Sequence, residues 1–237
     1  MLKKVNFQDL RSVEYKKAWE YQEKLFDQIL EAKSGETIDE KGSLAGYLLF
    51  CEHPHVYTLG KSGTENNLLI DDGFLKKIKA QFYRINRGGD ITYHGPGQIV
   101  GYPILNLEAF SLSIRQYIYN LEQAIIQTLL EYGLEAERLP SASGVWLDAD
   151  KPLRARKICA IGVRASRYVT MHGFAFNVST DLEYFNYINP CGLKDKGVTT
   201  LEKELGKRPD MNEVKEKLKA HLASVFQMEL NEIKENS

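Results

Sequence analysis

The chain has 237 residues, 43% hydrophobic and 27% charged, with a formal net charge of −1. That balance supports a packed core and excludes a chain that is disordered throughout. It also argues against general phosphate-backbone binding, for which dedicated domains run at a pI above about 9. The length fits one large α/β domain over residues 1–237 better than two small ones. Three cysteines, Cys51, Cys159 and Cys191, show no disulfide-like spacing, which points to a reducing compartment. Met1–Phe7 lacks the apolar core of a signal peptide, and no run nears the roughly 18 apolar residues needed to span a bilayer. A cytoplasmic protein is the expectation.

Helical spacing of Tyr15, Ala18, Trp19, Gln22, Phe26, Ile29 and Leu30 predicts a first helix over Ser12–Lys33, stopped by Gly35. The polar stretch Lys33–Gly42 reads as a surface loop. Gly46–Phe50 and Val56–Leu59 read as short buried strands. Phe82–Asn86 and Ile99–Leu107 read as strands on either side of a glycine-rich loop. A second helix carries Ile114, Tyr117, Ile118, Leu121, Ile125 and Leu129 on its apolar face, with Ser113 and Gln116 as a capping box and Gly133 as its end. Strands are then expected at Leu134–Leu139, Gly144–Leu147, Lys157–Val163 and Phe174–Val178. In the last, Phe174, Phe176 and Val178 alternate with Ala175 and Asn177, the pattern of a half-buried strand. A final helix from about Met211, capped by Asp210 with Glu213, buries Val214, Leu218, Leu222 and Val225. The fold class is α/β (α+β): a mixed sheet with helices packed against it, without repeat or dividing linker.

Arg87–Gln98 is the least ordinary stretch, with four glycines in twelve residues. Glycine allows positive φ and close approach of backbone to a ligand. A plain hairpin turn is the alternative, but Arg87, Asp90, Tyr93, His94 and Gln98 among the glycines favour a ligand-lining loop. Its spacing is not that of a dinucleotide loop. Gly60-Lys61-Ser62 imitates the end of a P-loop, yet the earlier glycine would fall at His55. His53-Pro54-His55 invites a metal reading, but no second ligand cluster stands at zinc-like spacing, so no metal is expected.

Cys191 lies between Pro190 and Gly192, which suggests an accessible turn thiol, the reactive kind; a small buried hydrophobe is the alternative. Cys159 and Cys51 read as core. Lys157 opens an apolar strand and is the cation candidate for the thiol. His172-Gly173 is expected as a turn between strands facing the same cleft.

Together, Arg87–Gln98, Lys157–Arg164, Met171–Asn177 and Asn189–Gly192 resemble the lipoyl(octanoyl) transferases. Glu52-His53-Pro54, Tyr57–Gly60 and Gly197–Leu201 extend the likeness over about Tyr15 to Leu222. The resemblance implies the fold of the biotin and lipoate protein ligases. It implies transfer of an octanoyl (lipoyl) group from acyl carrier protein to a lysine of lipoyl domains, those of 2-oxoacid dehydrogenase complexes and the glycine cleavage H protein. Cys191 would be the acylated nucleophile and Lys157 its acid–base partner. Arg87, Gly88, Gly89, Tyr93 and His94 would form the acyl-binding loop. His53, Gly162, His172 and Gly173 would complete the pocket, with backbone N–H groups around Gly162 and Val163 facing the oxyanion. No cofactor, nucleic acid or membrane is implied, and a monomer is expected. Arg154, Arg156, Arg164 and Arg167 are expected to form a docking cluster for the acidic carrier. The rivals are an ATP-dependent ligase in which Cys191 is idle, and a non-catalytic acyl- or carrier-binding module.

Overall fold

The computed structural model describes residues 2–34, 44–140, 142–151, 153–189 and 196–233. Lys3–Ser12 (β1) precedes the helix Tyr15–Ser34 (α1) and the strand Leu44–Glu52 (β2). Of the loop expected over Lys33–Gly42, Lys33 and Ser34 belong to α1, and residues 35–42, including the expected stop Gly35, lie outside the described residues. Val56–Leu59 (β3), the short helix Asp72–Lys77 (α2), Gln81–Arg84 (β4), Ile91–His94 (β5) and Gln98–Leu105 (β6) follow. Beyond them run Ile114–Leu130 (α3), Glu137–Leu139 (β7), Ala142–Leu147 (β8), Arg156–Ser166 (β9) and Val169–Asn177 (β10). Gly197–Val198 (β11), Leu201–Leu205 (α4), Met211–Phe226 (α5) and Met228–Glu232 (β12) close the chain.

The large mixed sheet has the order β12-β1-β2-β6-β10-β9-β8-β7, with β11 alongside β9. Strands β6 and β10 are buried at every position. The alternation of Phe174, Phe176 and Val178 with Ala175 therefore does not mark a half-solvated strand, because both faces are covered. The phenylalanines enter the core under α3 and α5, with Leu121, Ile125, Leu218 and Leu222. Ala175 and Met171 enter a second core under α1, with Phe26, Ile29, Val100 and Tyr102. Truncating a side chain such as Leu121 to alanine at such a site costs about 2–5 kcal/mol.

The helix ends follow the expected chemistry. Ser113 Oγ accepts from the Gln116 N–H (3.2 Å), and Asp210 accepts from the N–H groups of Asn212 and Glu213 (2.8 and 3.0 Å). Gly133, at φ +74°, turns the chain back so that the Leu134 N–H closes on Leu129 O (3.1 Å). Leu134 is thereby spent on the helix end, and the strand expected from there begins at Glu137.

Two expectations are corrected by the local structure. The glycine-rich stretch is not a bare connection, because its middle forms β5, antiparallel to β3 in a second sheet of order β4-β3-β5. This small sheet has its own core around Tyr57, Leu59, Ile91 and Tyr93. His172 and Gly173 are not a turn; they sit inside β10 opposite Val163 and Gly162. The β9–β10 turn is made instead by Arg167 and Tyr168, both at positive φ.

Candidate active site

Where β9 and β10 pair, Ala160 faces Ala175 and Gly162 faces Gly173. Four small residues in two adjacent rows leave a groove on the sheet, and a cavity of about 1100 Å³ stands over it. At both β9 and β10 the groove depends on the missing side chains. A Cβ on Gly162 would come to 3.0 Å from Arg87 Cδ, and one on Gly173 would run into Gly101 O. The glycine-rich loop forms the roof, held down by the Gly88 N–H donating to Val163 O (2.9 Å).

Arg87 crosses this roof. Its Nη2 donates to Thr58 O (2.7 Å) and Thr58 Oγ1 (3.0 Å), and its Nη1 to Gly88 O (3.0 Å). These acceptors are neutral, so the guanidinium lies buried without a carboxylate ion pair among the described residues. A buried unpaired cation favours a ligand with a carbonyl or an anionic oxygen.

His94 is stacked on Tyr15, ring centroids 6.0 Å apart at 10°, and bonds Gln98 through Nδ1 (2.8 Å). Burial, then the neighbouring His53, lower its pKa to about 3, so the ring is neutral. His172 holds φ +61° and is 2% exposed. Its backbone N–H donates to Gln22 Oε1 (3.1 Å), its Nε2 pairs with Asn86 Oδ1 (2.8 Å), and burial lowers its pKa to about 3. A non-glycine residue at that φ costs about 1–3 kcal/mol and marks a place where the surroundings dictate the backbone.

Lys157 enters the cavity from the other end of β9. Its backbone lies between Trp146 of β8 and Val198 of β11, and its Nζ sits 4.6 Å from the Trp146 ring centroid. Burial lowers its pKa to about 8, while Cys159 and Glu122 work in the opposite direction. Glu122 is the neighbour that sequence reasoning missed. Its Oε1 accepts from the Gly144 N–H (2.9 Å) and its Oε2 pairs with Arg138 Nε (3.1 Å). A Cβ on Gly144 would lie 3.4 Å from Lys157 Cε. A glutamate on an amphipathic helix reads as solvated, and only the fold brings it under β8.

Of the expected site residues, Lys157, Arg87, Gly89, His94, Gly162, His172 and Gly173 line the cavity, whereas Gly88, Tyr93, His53 and Val163 stand behind it. Tyr93 belongs to the small sheet, its hydroxyl on His55 Nδ1 (2.7 Å) and its ring stacked on Tyr184. His53 spends Nδ1 on Val13 O and Nε2 on the Tyr102 hydroxyl, both 2.7 Å. His53 and His55 thus face different partners. Cys51 and Cys159 are buried and burial pushes both thiols far up, which keeps them protonated and inert. Cys191 lies outside the described residues; Asn189 and Lys196, the described residues that bracket its segment, both line the cavity.

The four arginines do not make one patch. β9 has eleven residues, so at about 3.3 Å each Arg156 and Ser166 lie roughly 33 Å apart. Arg156 is held internally by Asp148 (2.5 Å) and Glu204 (2.6 Å). Arg164 lies over the Phe26 ring at 5.0 Å.

The cavity thus combines a groove of small residues on a mixed sheet, a glycine-rich roof and a desolvated lysine at one end. The model of the lipoyl protein ligase A/B catalytic domain matches residues 14–223, and the chain belongs to that family. An octanoyltransferase of Flavobacterium johnsoniae is 56% identical over 97% of this chain and the whole of that protein. One from Bacteroides fragilis is 56% identical over 92% of this chain and 96% of its own. The chain is accordingly an acyltransferase. A bipartite lipoate protein ligase of Thermoplasma acidophilum superposes with a TM-score of 0.70 over 99% of this chain and 88% of that one, at 15% identity, and shares its fold.

Proposed function

We propose that this enzyme moves an octanoyl group from the thioester of acyl carrier protein to a lysine of lipoyl domains, through an acyl-enzyme on Cys191. The observation that carries the reading is Lys157, with its pKa lowered to about 8 at the end of the cavity. The chemistry needs a base that is neutral for part of the time near neutrality. The relatives' name, octanoyltransferase, supports the acyl group, and the neutral groove floor supports an apolar chain. Seven carbons beyond the carbonyl, at about 0.8 kcal/mol each, give roughly 5 kcal/mol on full burial.

In the first half-reaction Lys157 takes the Cys191 proton, the thiolate attacks the thioester carbonyl, and the carrier thiolate leaves with that proton. In the second, the neutral amine of the target lysine attacks the acyl-enzyme. The amide forms, the Cys191 thiolate departs, and the amine's surplus proton returns to the sulfur through Lys157. The donor is already activated, so neither ATP nor any other cofactor is required. Acceptors would be the lipoyl domains of 2-oxoacid dehydrogenase complexes and the glycine cleavage H protein. The enzyme would work as a monomeric single domain in the cytoplasm, where free thiols persist.

Intact mass after mixing with octanoyl-carrier protein, without ATP, tests this. An octanoyl adduct on wild type but not on Cys191→Ala, discharged by a lipoyl domain, is expected. Octanoylation that appears only with ATP and free octanoate would make the enzyme a ligase and sink the acyl-enzyme.

A further inference from the structure

Gln98 and Asn177 sit on neighbouring strands in register, and their side-chain amides form a chain with fixed ends. At one end Asn177 Nδ2 donates to Thr199 O (3.1 Å). A backbone carbonyl only accepts, so the amide nitrogen must face it, and Asn177 Oδ1 is turned toward Gln98. Gln98 Nε2 donates to that oxygen (2.8 Å) and also to Tyr93 O (3.3 Å), a second backbone carbonyl. The two backbone carbonyls thereby fix both amide orientations. Gln98 Oε1 is left facing His94 Nδ1 at 2.8 Å, and an amide oxygen requires a proton on that nitrogen. Tyr15 keeps the ring in this plane, and a flip within it would set a C–H against Gln98 Oε1 and lose the bond.

We propose that Gln98 and Asn177 are positioning residues that lock His94 in the Nδ1–H tautomer, so that Nε2 offers the cavity a bare lone pair for the N–H of the incoming lysine amine. Nε2 has no hydrogen-bond partner among the described residues, and His94 lines the cavity. An acceptor there welcomes an amine and repels a thioester carbonyl oxygen. The neutral state of the buried ring agrees with this role, since a weakly basic imidazole accepts a hydrogen bond without taking the proton. The same chain ties the roof to the segment after Cys191, because the Thr199 N–H donates to Lys157 O (3.0 Å). The part concerning the amine rests on the acyl-transfer reading above; the tautomer does not.

The test is long-range ¹H–¹⁵N correlation of the five histidines in the substrate-free protein, with His94 assigned through His94→Gln. The expected pattern is a protonated, pyrrole-type Nδ1 and a bare, pyridine-type Nε2, giving way to a mixture in Gln98→Leu. A protonated Nε2 in the wild type overturns the proposal, and that measurement stands even if Gln98→Leu does not fold. So does a Gln98→Leu spectrum that keeps the Nδ1–H form intact. In single turnover Gln98→Leu should slow transfer to the lysine amine by roughly tenfold more than loading by the thioester, the value of one hydrogen bond. Equal loss in both steps would overturn the assignment to the amine. A protein that never loads an acyl group would instead fault the acyl-transfer reading and leave the spectrum unchanged.

Discussion

Lys157 Nζ rests over the indole of Trp146, 4.6 Å from the ring centroid, without a carboxylate in ion-pair contact among the described residues. The ring gives a partial, non-titrating counterweight to the charge, and burial outweighs it, so the lysine titrates near 8. Transfer should therefore rise with pH through a limb near 8 and level off above it. Lys157→Met should lose about 10²–10⁴-fold in rate together with that limb. A pH–rate profile of Lys157→Met that keeps the limb would remove Lys157 from the chemistry.

The same shift has a sign for stability. Between about 8 and the ordinary lysine value of 10.5 the unfolded chain holds a proton that the folded one has released. Stability gained from this group therefore rises with pH across that window, and the cost of charging it in place is fully present below 8. Lys157→Met should melt higher than wild type at pH 7, with the gap closing as pH climbs toward 10.5. Thermal melts at three pH values decide it; a constant gap would mean that packing, not charge, separates the two proteins.

Glu122 is one of the groups holding the Lys157 value up, and its place is fixed by Gly144 and Arg138. Glu122→Gln keeps the oxygen for the Gly144 N–H and removes the charge. The activity limb should move to lower pH by a fraction of a unit to one unit, while the plateau rate is retained. An unmoved limb in the pH profile would show the carboxylate to be structural only.

How much of this was legible in the chain follows from which signals are local. The helices α1, α3 and α5 announce themselves through spacing and caps such as Ser113 and Asp210, since both depend on near neighbours. Strands β1 and β12 do not. β12 is the edge strand and β1 lies next to it, β1 buries only Val5 and Phe7, and their parallel pairing joins distant parts of the chain. The small sheet was hidden because the glycines around Ile91–His94 look like a turn until β3 supplies a partner. His172 misled for a related reason. A histidine before glycine suggests a turn, and its φ is positive, yet Val163 and Gln22 hold it inside a strand. Lys157 and Arg87 drew notice through their residue types and neighbours, and Gly162 and Gly173 through the family resemblance; all four line the cavity. Glu122 and the Gln98–Asn177 chain were not legible, because polar side chains at those positions acquire meaning only through contacts set by the fold.

The groove predicts a change of chain length on filling it. Ala160 and Ala175 face each other across its floor, and Ala160 lines the cavity while being only partly buried. Ala160→Val adds two methyl groups to the floor without touching the roof. It should displace about two methylenes of an eight-carbon chain, worth roughly 1.6 kcal/mol or about fifteenfold. Competition between hexanoyl and octanoyl donors should therefore swing toward hexanoyl by about that factor. An unchanged ratio would place the acyl chain elsewhere in the cavity.

His172 allows a prediction in which two substitutions part company. His172→Ala keeps the residue at φ +61°, still strained, and loses the bond between Nε2 and Asn86 Oδ1, worth about 1 kcal/mol. His172→Gly loses the same bond but relieves the left-handed backbone, a gain of about 1 kcal/mol or more. The alanine protein should therefore be destabilised by about 1–2 kcal/mol, and the glycine protein should stay within about 0.5 kcal/mol of wild type, by urea unfolding. Both lack the ring on the cavity wall, so both should bind the acyl substrate more weakly by a similar factor. If glycine proves the less stable of the two, the backbone at His172 is not strained, and the strand rather than the side chain sets its conformation.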